Sequence, residues 1–164
     1  MTARDLASVQ LPHGGFESTV TSRGGRLQDY NGFTAAMVLR TTRHVVGEPA
    51  LATVRERALH FLTTCASSTV PGAFAFWPDT MRPVWAQSVP ADVDDTAIML
   101  TELLRHGWLE REQALRCFIR AVIPQRVEAA DLAWMPPWIP ADSFYTWIGD
   151  PNAMAGNGAS VAGH

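Results

Sequence analysis

The sequence predicts an all-α protein. Four stretches carry apolar residues at helical spacing, and each is bounded by residues that start or end helices. The chain has 164 residues, of which 47% are hydrophobic and 18% charged, enough for one domain with a buried core. We expect a helical domain over residues 31–148, between an irregular, poorly ordered N-terminal arm over 1–30 and a flexible Gly- and Ala-rich tail over 149–164.

The first predicted helix follows the N-terminal arm, in which residues 17–22 are the one candidate for a strand. It runs from Gly32 to about His44, and Asn31 is placed to cap it. The second predicted helix runs from Pro49, a residue that suits the first turn of a helix, to about Cys65.

The third and fourth predicted helices are joined by a short link and read as an αα-hairpin. The third runs from about Val93 to Arg105 and is ended by Gly107. The fourth runs from about Glu110 to Ile123, where a proline stops it. A further short helix is predicted over residues 142–148, capped by its first or second residue.

Three carboxylates stand together at the start of the third helix, in the stretch Asp92-Val93-Asp94-Asp95-Thr96-Ala97. Asp92 can cap this helix, with Asp95 as its reciprocal partner in a capping box, and the helix dipole favours both later acids. Helix capping assigns no specific role to Asp94. Carboxyl groups crowded beside apolar residues cannot all ionise at low cost, so one of them should have a raised pKa, as a general acid requires.

This stretch resembles the Asp-x-Asp-Asp-Thr-Ala motif of class II terpene cyclases, the family of squalene–hopene cyclases and copalyl diphosphate synthases. The resemblance implies a partial αα-toroid, made of helical hairpins of an α/α barrel. It also implies an isomerase or lyase that cyclises a polyprenyl or triterpene substrate after protonating it. Asp94 would protonate a terminal alkene or epoxide, Asp92 would support it, and Asp95 would complete the acidic group.

Aromatic side chains on the loop before the acids are candidates for the substrate site, because aromatic faces stabilise cations. Phe76, Trp77 and Trp85 are the residues we expect to bind substrate, with core packing as the alternative. Arg82 would contact a diphosphate or pair with one carboxylate. We expect no metal ligands and no cofactor, because the motif lacks the acid spacing of metal-dependent synthases; Mg²⁺ would come only with a diphosphate substrate.

Charge and cysteine content indicate which classes of partner and which cellular compartment fit this protein. A net charge of −3 with scattered arginines argues against nucleic acid as a partner. Cys65 and Cys117 lie in separate helices, which indicates free thiols in a reducing cytoplasm. No apolar run approaches the length of a transmembrane helix, which leaves peripheral membrane contact and a homo-oligomer open.

Two alternatives to an isoprenoid cyclase remain. The first is a non-catalytic helical-repeat scaffold that binds a lipid or a protein partner, in which the acidic motif is mainly a helix cap. The second is a hydrolase that uses Asp94 as a general acid, which would need a second, well-separated carboxylate for which the sequence offers no recognisable motif.

Overall fold

A computed structural model of the chain describes residues 3–22 and 25–149. The predicted tail therefore lies outside the described residues, apart from its first position. Within them, five α-helices accompany one two-stranded antiparallel sheet. The elements are α1 (Ala3–Val9), β1 (Glu17–Ser22), β2 (Gly25–Tyr30), α2 (Gly32–Thr42), α3 (Pro49–Thr64), α4 (Val93–Arg105) and α5 (Arg111–Ala121). The prediction of an all-α fold is wrong, and these short helices with a sheet do not make an αα-toroid.

The sheet lies in the segment that was expected to be an arm. The strand predicted at residues 17–22 is confirmed as β1, and β2 pairs with it from Glu17 opposite Tyr30. Most of β2 is exposed, so the hairpin lacks the alternation of buried and exposed residues that identifies a strand in a sequence. Leu6 of α1 and Phe16 are both buried in the main core, so this segment packs against the helices.

The four long predicted helices are confirmed to within a few residues at each end. Asn31 caps α2, because its Oδ1 accepts the backbone N–H of Thr34 at 2.7 Å. Pro49 occupies the first turn of α3, as its fixed φ favours. Helix α4 has the predicted bounds, Val93–Arg105, and α5 is slightly shorter than predicted at both ends.

The short helix predicted over residues 142–148 is wrong. Asp142 has φ = +69°, a left-handed backbone conformation that does not begin an α-helix. After it, Phe144 and Trp147 each form an isolated antiparallel β-bridge. Trp147 forms its bridge with Asp92, so this segment packs against the start of α4.

The main core lies where α1, α2, α3 and α4 meet. Helix α2 packs against α3 and α4, α1 packs against α3, and α5 packs against α4. Six large side chains are almost completely buried there: Leu39, Leu51, Phe61, Leu62, Met99 and Leu103. None of the helices in the described residues is long and apolar enough to cross a membrane.

The amino-terminal turns of α2 and α4 both contact the loop over residues 74–76. The backbone N–H of Gly32 donates to the carbonyl of Phe76 at 2.8 Å. The N–H of Phe74 donates to the hydroxyl of Thr96 at 2.9 Å. The two helices therefore begin at the same side of the molecule.

Candidate functional site

The acidic cluster, defined as Asp92, Asp94 and Asp95, is built on the first turn of α4. Asp92 is the N-cap: its backbone is extended, and its Oδ1 accepts the backbone N–H of Asp95 at 2.7 Å. This half of the predicted capping box is confirmed. The carboxyl group of Asp95 is hydrogen-bonded to the carboxyl group of Asp92.

Asp92 and Asp95 are both buried, and Asp95 is only 2% exposed. Burial raises the pKa of Asp95 from 3.8 to about 9, and the hydrogen bond to Asp92 and the neighbouring charges add to this rise. Burial also raises the pKa of Asp92, although the hydrogen bonds from Asp95 oppose it. At pH 7 the Asp95 carboxyl is therefore protonated and donates to Asp92. The raised pKa that the sequence predicts lies on this buried pair.

Asp94 has a different environment, because its side chain is exposed. It lines a shallow surface depression of about 300 Å³ between α2 and α4, which we call the α2–α4 groove. The residues of this groove are Phe33, Arg40, Asp94, Ala97, Ile98 and Thr101. The structure thus separates Asp94 from the other two acids of the motif: two carboxyl groups are buried at the helix start, and one is presented at the surface.

The remaining polar residue of the motif holds α4 to its neighbours. The hydroxyl of Thr96 accepts from the N–H of Phe74 at 2.9 Å and donates to the carbonyl of the same residue at 3.2 Å. Cys65 lies near Asp95, and burial together with the charge of Asp95 raises the pKa of its thiol to about 12. This cysteine therefore stays a neutral thiol at physiological pH.

The aromatic residues predicted to bind substrate are brought together. The ring of Trp77 lies edge-on to those of Phe76 and Trp85, with centroid distances of 4.6 and 5.3 Å. Trp77 is buried, and its indole N–H donates to Asp29 at 2.7 Å, whereas Trp85 is 58% exposed. Phe33 stacks on Phe76 at 6.3 Å, so the aromatic group reaches one end of the α2–α4 groove.

Arg82 is not bound to the acidic cluster. Its guanidinium pairs with Asp79 at 3.0 Å and donates to the carbonyl of Val89. Arg82 therefore pairs with a carboxylate of its own loop and not, as predicted, with one of the acidic cluster. Its contact with a diphosphate, like the catalytic roles of the three acids, stays a prediction.

The sequence reasoning missed two other buried carboxylates. Asp29 is 4% exposed and accepts hydrogen bonds from Trp77 and, at 2.6 Å, from Asn31. The available signal was an Asp two residues before a predicted helix cap. Glu102 is fully buried within α4 and pairs with Arg105 at 2.6 Å, a spacing of three residues that the sequence displays.

Among the described residues, no three His, Cys, Asp or Glu side chains are grouped so that they could hold a metal ion. A second surface groove, of about 520 Å³, lies between α3 and the turn over residues 78–81 and contains none of the predicted site residues. Comparisons of the chain with protein families, curated proteins and solved structures found no match. The resemblance to class II terpene cyclases therefore rests on residues 92–97.

Proposed function

We propose that this protein is a non-catalytic binding module, in which the acidic cluster builds the start of α4 and the α2–α4 groove binds a protein partner. The observation that carries the proposal is how the carboxyl groups of Asp92 and Asp95 are used. One caps the helix, the other is hydrogen-bonded to it, and both are buried. A general acid must reach the atom that it protonates, and neither of these side chains opens onto the groove.

The exposed apolar surface beside the groove supports a binding role. Phe33 is 40% exposed and Met37, one turn further along α2, is 36% exposed, while Ile98 of α4 is half-buried in the groove. Apolar surface rimmed by polar residues is typical of interaction sites. Asp94 and Arg40 give the groove one charge of each sign, so it lacks the basic cluster that an anionic membrane attracts, and a protein partner fits it better than a lipid surface does.

We place the module in the cytoplasm as part of the same proposal. Cys65 and Cys117 are both free thiols, as is usual for proteins in a reducing compartment. The net charge of the chain is −3, and a negative charge does not favour binding to nucleic acid.

A second candidate function is cyclisation of an isoprenoid by protonation, and one observation favours it. Asp94 shares its groove with Phe33, whose ring stacks on Phe76. In this candidate the Asp94 carboxyl donates its proton to a terminal alkene carbon, and the aromatic faces stabilise the cation that forms. The groove is shallow and open, however, and a carbocation needs a site that excludes water. Mg²⁺ would enter this candidate only with a diphosphate substrate.

Product analysis separates the two candidates. The purified chain and its Asp94→Asn variant would each be incubated with squalene, farnesyl diphosphate and geranylgeranyl diphosphate, with Mg²⁺ present, and the extracts analysed by gas chromatography–mass spectrometry. The binding module predicts no cyclic product from either protein. A cyclic product that the wild type forms and the folded variant does not form would overturn the proposal and establish Asp94 as the acid.

A further inference from the structure

We propose that the protein partner is a second copy of this chain, docked on the α2–α4 groove about a two-fold axis. This inference rests on the proposed function, which assigns the groove to a protein partner. It follows from where the opposite charges of the groove lie along its length.

The groove has two distinct ends. Phe33 and Arg40 lie seven residues apart on α2, and Asp94 and Thr101 lie seven residues apart on α4, so each pair spans about 10 Å. Because both helices begin at the loop over residues 74–76, the first residues of the two pairs share one end. Asp94 therefore lies with Phe33 at one end of the groove, and Arg40 lies with Thr101 at the other.

The two charged groups are free to bind a partner. Arg40 and Asp94 are both exposed, and in the part of the chain that the structure describes neither forms an ion pair. The groove thus carries a positive charge at one end, a negative charge at the other, and apolar side chains such as Ile98 between them.

A two-fold axis that lies in the plane of the interface, at right angles to the line from Arg40 to Asp94, makes such a groove complementary to itself. Rotation places each end over the opposite end of the other copy, so Arg40 faces the partner's Asp94, and this contact occurs twice. The exposed faces of Phe33 and Met37 are then covered in both copies. A partner of a single charge sign would satisfy one end of the groove and face a like charge at the other, so a second copy fits best.

Another exposed apolar stripe provides a matched control. Leu115, Ile119 and Ile123 recur at four-residue spacing along α5 and its end, and are 53%, 54% and 43% exposed. This stripe lies outside the α2–α4 groove. Ile119→Ser therefore removes a similar exposed apolar side chain without touching the proposed interface.

The test is sedimentation equilibrium of the full chain. We expect a mass near twice 17.9 kDa for the wild type and for Ile119→Ser. Arg40→Glu and Asp94→Arg should each raise the dimer dissociation constant by about tenfold or more, because each variant alone sets like charges against one another at both contacts. An equimolar mixture of the two variants should associate again, because each contact then joins an acidic and a basic side chain.

Restored association in the mixture cannot come from misfolding, and circular dichroism of each variant confirms the fold independently. Three results would overturn the dimer: a monomeric wild type at every concentration, single variants that dimerise as the wild type does, or folded variants whose mixture stays monomeric. Product analysis tests the function separately. If the wild type is a monomer and forms no cyclic product, only the dimer proposal is overturned. If it forms a cyclic product, the proposed binding function is overturned, and the dimer proposal falls with it.

Discussion

Asp92 accepts the backbone N–H of Asp95 at 2.7 Å, and the carboxyl group of Asp95 is hydrogen-bonded to that of Asp92 within the same turn of α4. Asp92→Ala removes the acceptor of both bonds and leaves a buried N–H without a partner. We expect the free energy of unfolding, measured with urea, to fall by about 1–2 kcal/mol. Asp92→Asn keeps an amide oxygen that caps as well and should lose less than half as much. Equal losses in the two variants would show that capping is not the role of this side chain.

The buried carboxyl of Asp95 makes stability depend on pH. Because its pKa is raised from 3.8 to about 9 in the folded state, the folded protein binds this proton more tightly than the unfolded chain does. Its stabilising contribution is complete below pH 3.8 and is lost as the pH rises through about 9. The urea midpoint of the wild type should therefore fall between about pH 6 and pH 9.

Asp95→Asn is the matched variant for this titration, because the amide is similar in size and does not titrate. Its urea midpoint should fall less over the same pH range than that of the wild type. The Cys65 thiol also has a raised pKa and so also lowers stability as the pH rises. Its effect falls in a different range, between pH 9.0 and about pH 12. Parallel pH curves for the two proteins would refute a buried, protonated Asp95.

The indole of Trp77 has a structural role that is open to measurement. Its N–H donates at 2.7 Å to Asp29, which is 4% exposed. Trp77→Phe keeps an aromatic ring but removes the donor, so the unfolding free energy should fall by about 1.5–3 kcal/mol. Trp85→Phe, on a residue that is 58% exposed, should change it by less than about 0.5 kcal/mol. A substrate-binding role alone would leave both variants as stable as the wild type.

The N-terminal segment approaches α3 so closely that only glycine fits at one position. Gly14 has φ = +96°, and a Cβ there would overlap the backbone carbonyl oxygen of Arg57. Gly47 has φ = +79° with open space around it, so Gly47→Ala adds backbone strain alone, about 1 kcal/mol. We expect Gly14→Ala to lower the melting temperature by at least twice as much as Gly47→Ala does. A similar small shift for both would mean that the N-terminal segment does not pack on α3.

The helices were predictable because their signals are local. Helix α4 begins at its cap, Asp92, carries apolar residues at helical spacing and is followed by Gly107, whose φ of +72° ends it as the sequence suggests. Strand β1 was predicted, but its pairing with β2 and the bridge at Trp147 were not predictable in this way. Their stability depends on pairing between segments, and Trp147 pairs with Asp92 far away in the sequence.

The sequence identified the aspartates of the candidate site, but it did not show which of them are buried and which is exposed. Three closely spaced aspartates indicate that their carboxyl groups are crowded, and this crowding predicts a raised pKa for at least one of them. Which aspartate is buried depends on what packs around α4. Cys65 and the segment at Phe74 lie against the inner side of its first turn, and Asp94 lies on the outer side with Phe33. The position of Asp29 before a helix cap was visible in the sequence, but its pairing with Trp77 was not, because the two residues lie 48 positions apart.

The division of roles within the acidic cluster can be measured by carbon-detected NMR titration of aspartate labelled at Cγ, with Asp95→Asn used for assignment. We expect the Asp95 carboxyl to keep its proton at neutral pH and to release it at about pH 9, with Asp92 sensing the same step. A titration in which both Asp92 and Asp95 ionise below about pH 5 would contradict the buried, hydrogen-bonded pair and, with it, the structural role proposed for the motif.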